Sequence, residues 1–167
     1  PDNALLGLNI SYKIAKNYVL YGQLMLDEFK INEITAGNGW WGNKQAFQLG
    51  AKAFDFLNIE NLYLQTEYNF VRPYMYSHGT SIQNYGHYNQ SLAHPTGANF
   101  KESVSIIKYN YKRFFAEYKI NYIIYGADSA NVNYVKDIFR SYNDHPNEYV
   151  NFVGQEIKTT VIYNDFR

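Results

Sequence analysis

The sequence predicts an all-β fold, part of an antiparallel transmembrane β-barrel with about seven strands and long extracellular loops, on three observations. Segments of about ten residues alternate apolar and polar positions, the length a tilted strand needs to cross a bilayer. Their connections alternate between very short and very long, as where tight turns lie on one side of a membrane and loops on the other. Aromatic residues make up 19% of the chain, with 18 Tyr and 11 Phe against 18% charged, which suits a surface carrying aromatic girdles at the headgroup levels.

The first strand, 5–15, alternates Leu6, Leu8, Ile10, Tyr12 and Ile14 with Asn9, Ser11 and Lys13. A two-residue turn at Lys16-Asn17 leads to the second, 18–29, where Leu20, Leu24 and Leu26 oppose Gln23 and Asp27. The third, 44–56, turns Phe47, Leu49, Ala51 and Ala53 one way and Gln48, Gly50 and Lys52 the other. The fourth, 62–72, sets Leu64, Tyr68 and Phe70 against Gln65, Glu67 and Asn69, and ends where Pro73 removes a ladder donor and restricts Arg72. The fifth, 102–112, opposes Ile107, Tyr109 and Tyr111 to Lys108, Asn110 and Lys112. The sixth, 114–126, opposes Tyr118, Ile120, Tyr122 and Ile124 to Glu117, Lys119 and Asn121, and the seventh covers 157–165. Tight turns are expected at 16–17, 58–61 and 112–113, facing the periplasm. Long loops at 30–43, 73–101 and 127–156 are expected outside, ordered by their many Tyr and Asn residues.

Every charged mid-strand residue then falls on one face, assigned to the lumen, because a Lys or Arg facing lipid costs about 2 to 4 kcal/mol at the midplane. A soluble Tyr-rich β-sandwich alternates too, with its polar face in bulk water. The mixture of Lys, Glu, Asn and Gln on that face favours the barrel. Mean hydropathy is −0.45, and no apolar run approaches the roughly 18 residues of a membrane helix. Lys plus Arg and Asp plus Glu each number 15, so no basic stripe offers itself and nucleic acid is not an expected partner. Cys is absent, which is compatible with an envelope compartment. The chain does not begin with Met or with a secretion signal, and seven strands are an odd number where bacterial barrels close with an even one. Residues 1–167 are therefore expected to be part of one outer-membrane barrel domain of a longer protein.

Three segments together, LYGQLMLDEFKINEITAGNGWWGNKQAFQLGAKAFD at 20–55, LYLQTEYNFVRPYMYSH at 62–78 and NYGHYNQSLAHPTGANFKE at 84–102, with DIFRSY at 137–142, carry a resemblance to a known family. The chain resembles the gliding-motility RemB family and its relatives among Wzi-like capsule-assembly outer-membrane proteins of Gram-negative bacteria. That resemblance covers essentially the whole chain. It implies an internal stretch towards the carboxyl end of a many-stranded barrel, located in the bacterial outer membrane. It also implies a role in gliding motility and adhesion or in surface polysaccharide assembly, with no catalytic residues and no cofactor. Two other readings stand beside it: a channel or transport barrel, and a structural subunit of a larger envelope secretion or motility complex whose partners are proteins.

Candidate ligand-binding residues are Trp40, Trp41, Tyr85, His87, Tyr88, Asn89 and His94, because stacking on a sugar ring and bonding its hydroxyls need aromatics beside amides and imidazoles. The plainer reading of Trp40 and Trp41 is anchoring in the interfacial aromatic belt. The plainer reading of the 85–94 segment is a loop folded on itself or into the lumen. His78, His87 and His94 are of the type that ligates transition metals but have no acidic or Cys partner in the cluster, so no metal is expected. Arg72 is expected at the interface or paired with Glu67. Asp128, Asn131, Asp137, Asp144 and Glu148 lack calcium-loop spacing. No Gly-Xaa-Ser-Xaa-Gly, His-Glu-Xaa-Xaa-His or phosphate-cradling loop occurs, and the inward carboxylates Glu67 and Glu117 are ordinary in a lumen, so an enzyme is not expected.

Overall fold

A computed structural model of the chain describes residues 4–167, so the first three residues of the expected domain lie outside the described part. Its elements in chain order are β1 (Leu6–Ala15), β2 (Tyr18–Leu26), the short helix α1 (Ile31–Ala36), β3 (Gln45–Ala53), β4 (Leu62–Val71), the two-residue strands β5 (Gly86–His87) and β6 (Gln90–Ser91), β7 (Phe100–Tyr111), β8 (Phe114–Ala127) and β9 (Ile157–Phe166). Seven of the strands form one antiparallel sheet in the order β1-β2-β3-β4-β7-β8-β9, and β5 and β6 make a separate small hairpin. All seven segments with period-two alternation are strands. The sheet is open, with β1 and β9 each paired on one side only and every residue of β1 exposed.

Three boundaries differ from the sequence expectation, each for a local reason. β2 stops at Leu26 because the chain leaves the ladder at Asp27, whose amide reaches the Lys44 carbonyl at 3.1 Å. β3 stops at Ala53, and the connection to β4 takes up 54–61 rather than 58–61. Asp55, Leu57, Asn58 and Asn61 sit there in the left-handed region, and Asp55 Oδ1 accepts from the Asn61 amide at 2.8 Å. β7 begins at Phe100, two residues early, because Phe100 pairs with both Val71 and Tyr125.

Residues paired across an antiparallel ladder share a face, so the register assigns faces across the whole sheet. One side carries Leu8, Leu24, Phe47 and Phe70 in a single cross-strand row. The row of Tyr12, Leu20, Ala51, Thr66 and Ser105 lies on that same side. The opposite side carries Asn9, Gln23, Gln48, Asn69 and Glu102 in one row. The expected parity holds except at a bulge between Lys13 and Ala15, where Ala15 stands opposite Tyr18 and Ile14 drops out of register; outside the mid-strand charges, Lys101 and Lys158 lie on the apolar side. Lys101 stands opposite Phe70 and Ile124, and Lys158 opposite Gly126. Each is the second residue of its strand, at the end where the long loops begin.

Those loops turn onto the polar side. Met75, Tyr76, Ala98 and Ile138 from the second and third loops form one buried cluster with Ala46, Val71 and Phe100 of the polar face. Away from the loop end of β8 the apolar face stays uncovered, with Leu6, Leu8, Ile10, Leu20, Leu49, Tyr118, Tyr122 and Ile162 among its exposed residues. Arg72, expected at the interface or beside Glu67, instead donates from Nη2 to the Trp40 carbonyl at 3.3 Å and the Asn151 carbonyl at 2.9 Å, tying the first loop to the third. Asp128, one of the scattered oxygen donors, accepts from the amides of Tyr134 and Lys136 at 2.8 and 3.0 Å and shapes the third loop.

The third loop returns across the end of β8, where a Cβ at Gly126 would stand 1.7 Å from the Gln155 carbonyl oxygen. Backbone lies against backbone there, so no side-chain movement can make room. Gly126→Val is expected to cost about 3 kcal/mol or more, seen as protease cleavage within 128–156 while the β-sheet circular dichroism signal is retained.

Candidate functional site

The polar face carries one continuous hydrogen-bonded network, and the register explains its reach. Tyr21, Gly50 and Glu67 stand side by side on β2, β3 and β4. Because Gly50 has no side chain, the Tyr21 ring lies flat across β3, where a Cβ on Gly50 would meet it at 2.2 Å. Its hydroxyl thereby reaches Glu67 Oε2 two strands away, at 2.7 Å, and accepts from Gln65 Nε2 at 2.8 Å. Tyr63 donates to Gln65 Oε1 at 2.6 Å.

Asn69 carries the network onward, its amide donating to Glu67 Oε1 at 2.9 Å and to Glu102 Oε2 at 2.8 Å. Glu102 is buried and takes two further donors, Asn121 Nδ2 at 2.7 Å and His94 Nε2 at 2.8 Å. His94 Nδ1 accepts from the Thr96 amide at 3.1 Å, which assigns the proton to Nε2 and makes that nitrogen the donor to Glu102. The second loop is thus fastened to the floor of the sheet through His94.

Beside this network is a recess of about 240 Å³ between the polar face and the second loop. Gln23, Gln48, Asn69 and His94 supply polar groups to its wall, and Tyr76 and Tyr85, with rings 5.9 Å apart, supply aromatic ones. Burial raises the Tyr76 phenol well above its ordinary value, so it stays neutral. Amide donors and acceptors between ring faces recognise hydroxyl-rich molecules, which need both kinds of contact.

A second cluster closes the cap above. Trp41 stacks on His145 at 4.4 Å, lies 5.1 Å from Tyr142 and 6.1 Å from Tyr74, and donates from Nε1 to Glu148 at 3.1 Å. The donors of His145 and Trp41 hold the Glu148 carboxyl below its ordinary range. Lys44 is completely buried beneath these rings. Its ammonium lies 3.1 Å from Glu28, 3.2 Å from the Ser77 carbonyl and 4.0 Å from the Tyr142 ring centroid. Burial pushes the neighbouring Asp27 up to about 6, against the opposing pull of Lys44.

The structure separates the seven candidate residues into three places. Trp40 and Trp41 belong to the cap, with the Trp40 ring against Gly42 and beneath the Lys30 ammonium at 4.3 Å. Tyr85 and His94 line the recess. His87, Tyr88 and Asn89 are exposed at the tip of the β5–β6 hairpin, where Tyr88 and Asn89 both have positive φ in the manner of a type I′ turn. Among the described residues no group of three or more His, Cys, Asp or Glu is placed to hold a metal ion.

Sequence reasoning put Gln23, Gln48, Glu67, Asn69 and Asn121 on this face but did not single out Glu102 or Lys44 as central. The signal for Glu102 was present, a carboxylate at an inward parity position flanked by Lys101 and Ser103. Comparison with protein-family models, with curated proteins and with solved structures found no match to this chain.

Proposed function

We propose that this sheet is a sector of a bacterial outer-membrane β-barrel that handles surface polysaccharide, in capsule assembly or in gliding and adhesion. In this reading the apolar face meets lipid, the polar face lines the lumen and the long loops are extracellular. The observation that carries the reading is the inward fold of those loops: they pack on the polar face and leave the apolar face bare except where the third loop crosses the loop end of β8. Soluble proteins rarely leave an apolar patch larger than a few hundred Å² in water. A wide conducting pore would need a clear bore where the cap sits, so a scaffold or binding role is favoured over a channel. A structural subunit of an envelope complex is the second reading, supported by the two uncovered edges.

Two measurements test the reading. Leu8→Arg or Leu24→Arg is expected to cost insertion about 2 to 4 kcal/mol, while Asn9→Arg or Gln23→Arg costs little, because the first pair faces lipid and the second the lumen. Equal effects from both pairs in a bilayer insertion assay would reject the membrane assignment. For the ligand, Gln48→Leu and Tyr85→Ala should each lower retention of surface polysaccharide at least about tenfold with normal insertion. Unchanged retention would reject the recess as the binding site.

A further inference from the structure

Lys101 and Lys158 break the charge rule of this sheet together and at one level. Lys13, Lys52, Glu67, Glu102, Lys108, Glu117, Lys119 and Asp165 all lie on the polar side by register. The two exceptions stand on either side of β8, Lys101 opposite Ile124 and Lys158 opposite Gly126. Strand spacing puts their backbones about 10 Å apart across the sheet and about 7 Å apart along it. Both are exposed.

Around them the apolar side changes character. Ile124 and Gly126 of β8 lie between the two lysines, but the next same-face residue on each lysine's own strand carries a hydroxyl, Ser103 after Lys101 and Thr160 after Lys158. The other flank of the sheet at the same end offers Leu6, Leu24, Leu26 and Phe47. A second observation fixes the height. The Gln155 carbonyl crosses against Gly126, in the row of Lys158, and a Cβ at Gly154 would stand 3.8 Å from the Ile124 side chain. Irregular backbone facing lipid is not tolerated within hydrocarbon, so the hydrocarbon boundary runs at or below this row. The ammonium groups then stand at the headgroup level, where a cation attracts anionic lipid.

We infer that Lys101 and Lys158, each beside the hydroxyl that follows it on its own strand, Ser103 and Thr160, bind the phosphate of a membrane lipid headgroup at the loop end of β7–β9. The inference rests on the membrane assignment proposed above. Two ammonium groups offer charge, and the hydroxyls offer donors to the remaining phosphate oxygens. The bare aliphatic flank offers neither, so phosphorylated lipid is held on one side of the sheet only.

The test uses the whole barrel protein of which this sheet is a sector, inserted in nanodiscs of phosphatidylcholine with a minor fraction of phosphatidic acid. Retained lipid is counted by native mass spectrometry. Lys101→Gln and Lys158→Gln are each expected to weaken retention of phosphatidic acid about fivefold, and the double variant about thirtyfold. Lys119→Gln on the polar face is expected to change nothing. Insertion is measured separately by protease protection. Normal insertion with undiminished retention in the double variant overturns the site and leaves the membrane assignment intact, whereas failure of the wild type to insert overturns both. Inorganic phosphate that displaces the lipid at micromolar concentration would show a soluble-anion site and overturn the lipid assignment.

Discussion

Glu102→Leu should unfold the cap from the sheet. Its carboxylate is buried and accepts from Asn69, Asn121 and His94 at 2.7 to 2.8 Å, so removing it strands three donors. A buried donor without a partner costs about 1 to 3 kcal/mol; Asn69 is buried while Asn121 and His94 are only half-buried and can turn to water, so the expected loss is about 3 to 6 kcal/mol. The loss should appear as a lower urea midpoint and as cleavage in 72–99, the segment His94 holds down. Glu102→Gln keeps the shape but presents an amide to one of the donors, and is expected to lose about half as much. Converting the partners as well, with Asn69→Leu, Asn121→Leu and His94→Phe, should restore much of the stability, because a fully apolar replacement of a buried network is often tolerated. A Glu102→Leu protein as stable as wild type would mean the network carries no weight.

The second large effect is expected at Lys44. Lys44→Met removes a completely buried ammonium from Glu28, the Ser77 carbonyl and the Tyr142 ring. Breaking a buried ion pair costs about 3 to 5 kcal/mol. Glu28 is partly exposed, so water takes over some of its share and the lower end is expected. The effect should depend on pH through Asp27. Its folded-state value of about 6 lies above the ordinary 3.8, so the folded protein holds this proton more tightly than the unfolded one. The ionisation penalty is therefore present above about pH 6 and relieved as pH falls from 6 towards 4. Without Lys44 the carboxyl rises further, and Lys44→Met should be more damaging at pH 8 than at pH 5. Urea midpoints at the two values check this. Because His78 and Glu28 lie beside the same ammonium, the decisive control is Asp27→Asn in the Lys44→Met background, which should abolish the pH difference. A pH-independent loss would exclude Asp27 as its source.

The seven strands were legible because period-two alternation survives along most of each, and the faces were legible because mid-strand charge is kept to one parity. The register of β7–β8 follows from its two-residue turn, whereas that of β1–β2 is shifted by one residue at a bulge between Lys13 and Ala15 that the sequence did not announce. The Tyr21-Gly50-Glu67 row was not legible either, since β2 and β3 are separated by a long loop and nothing local in the sequence aligns them. Helix α1 escaped notice because it has only six residues and buries none of them, leaving no amphipathic signal. The fate of Trp41 was equally hidden. Its neighbours Tyr142, His145 and Glu148 lie about a hundred positions away, and local pattern carries no information at that range. Arg72 was misassigned for the same reason, its carbonyl partners being set by where two loops meet.

The sheet and its cap differ in how far along the chain each must search for partners. Each sheet strand lies beside the next one in sequence, so the sheet can grow as a succession of hairpins. The cap is closed by bonds such as Asn151 to the Gly39 carbonyl, 112 positions apart, and Trp41 to Glu148, 107 apart. Contacts of such separation have a larger loop-closure entropy to overcome before they stabilise anything. Order in time then follows order in space: strands β2 to β8 must be side by side before the ends of these loops are brought within reach. The polar face is consequently expected to stay open to water until these long-range contacts close, which pulsed hydrogen exchange during refolding would show as late protection of the Trp41 and Asn151 amides.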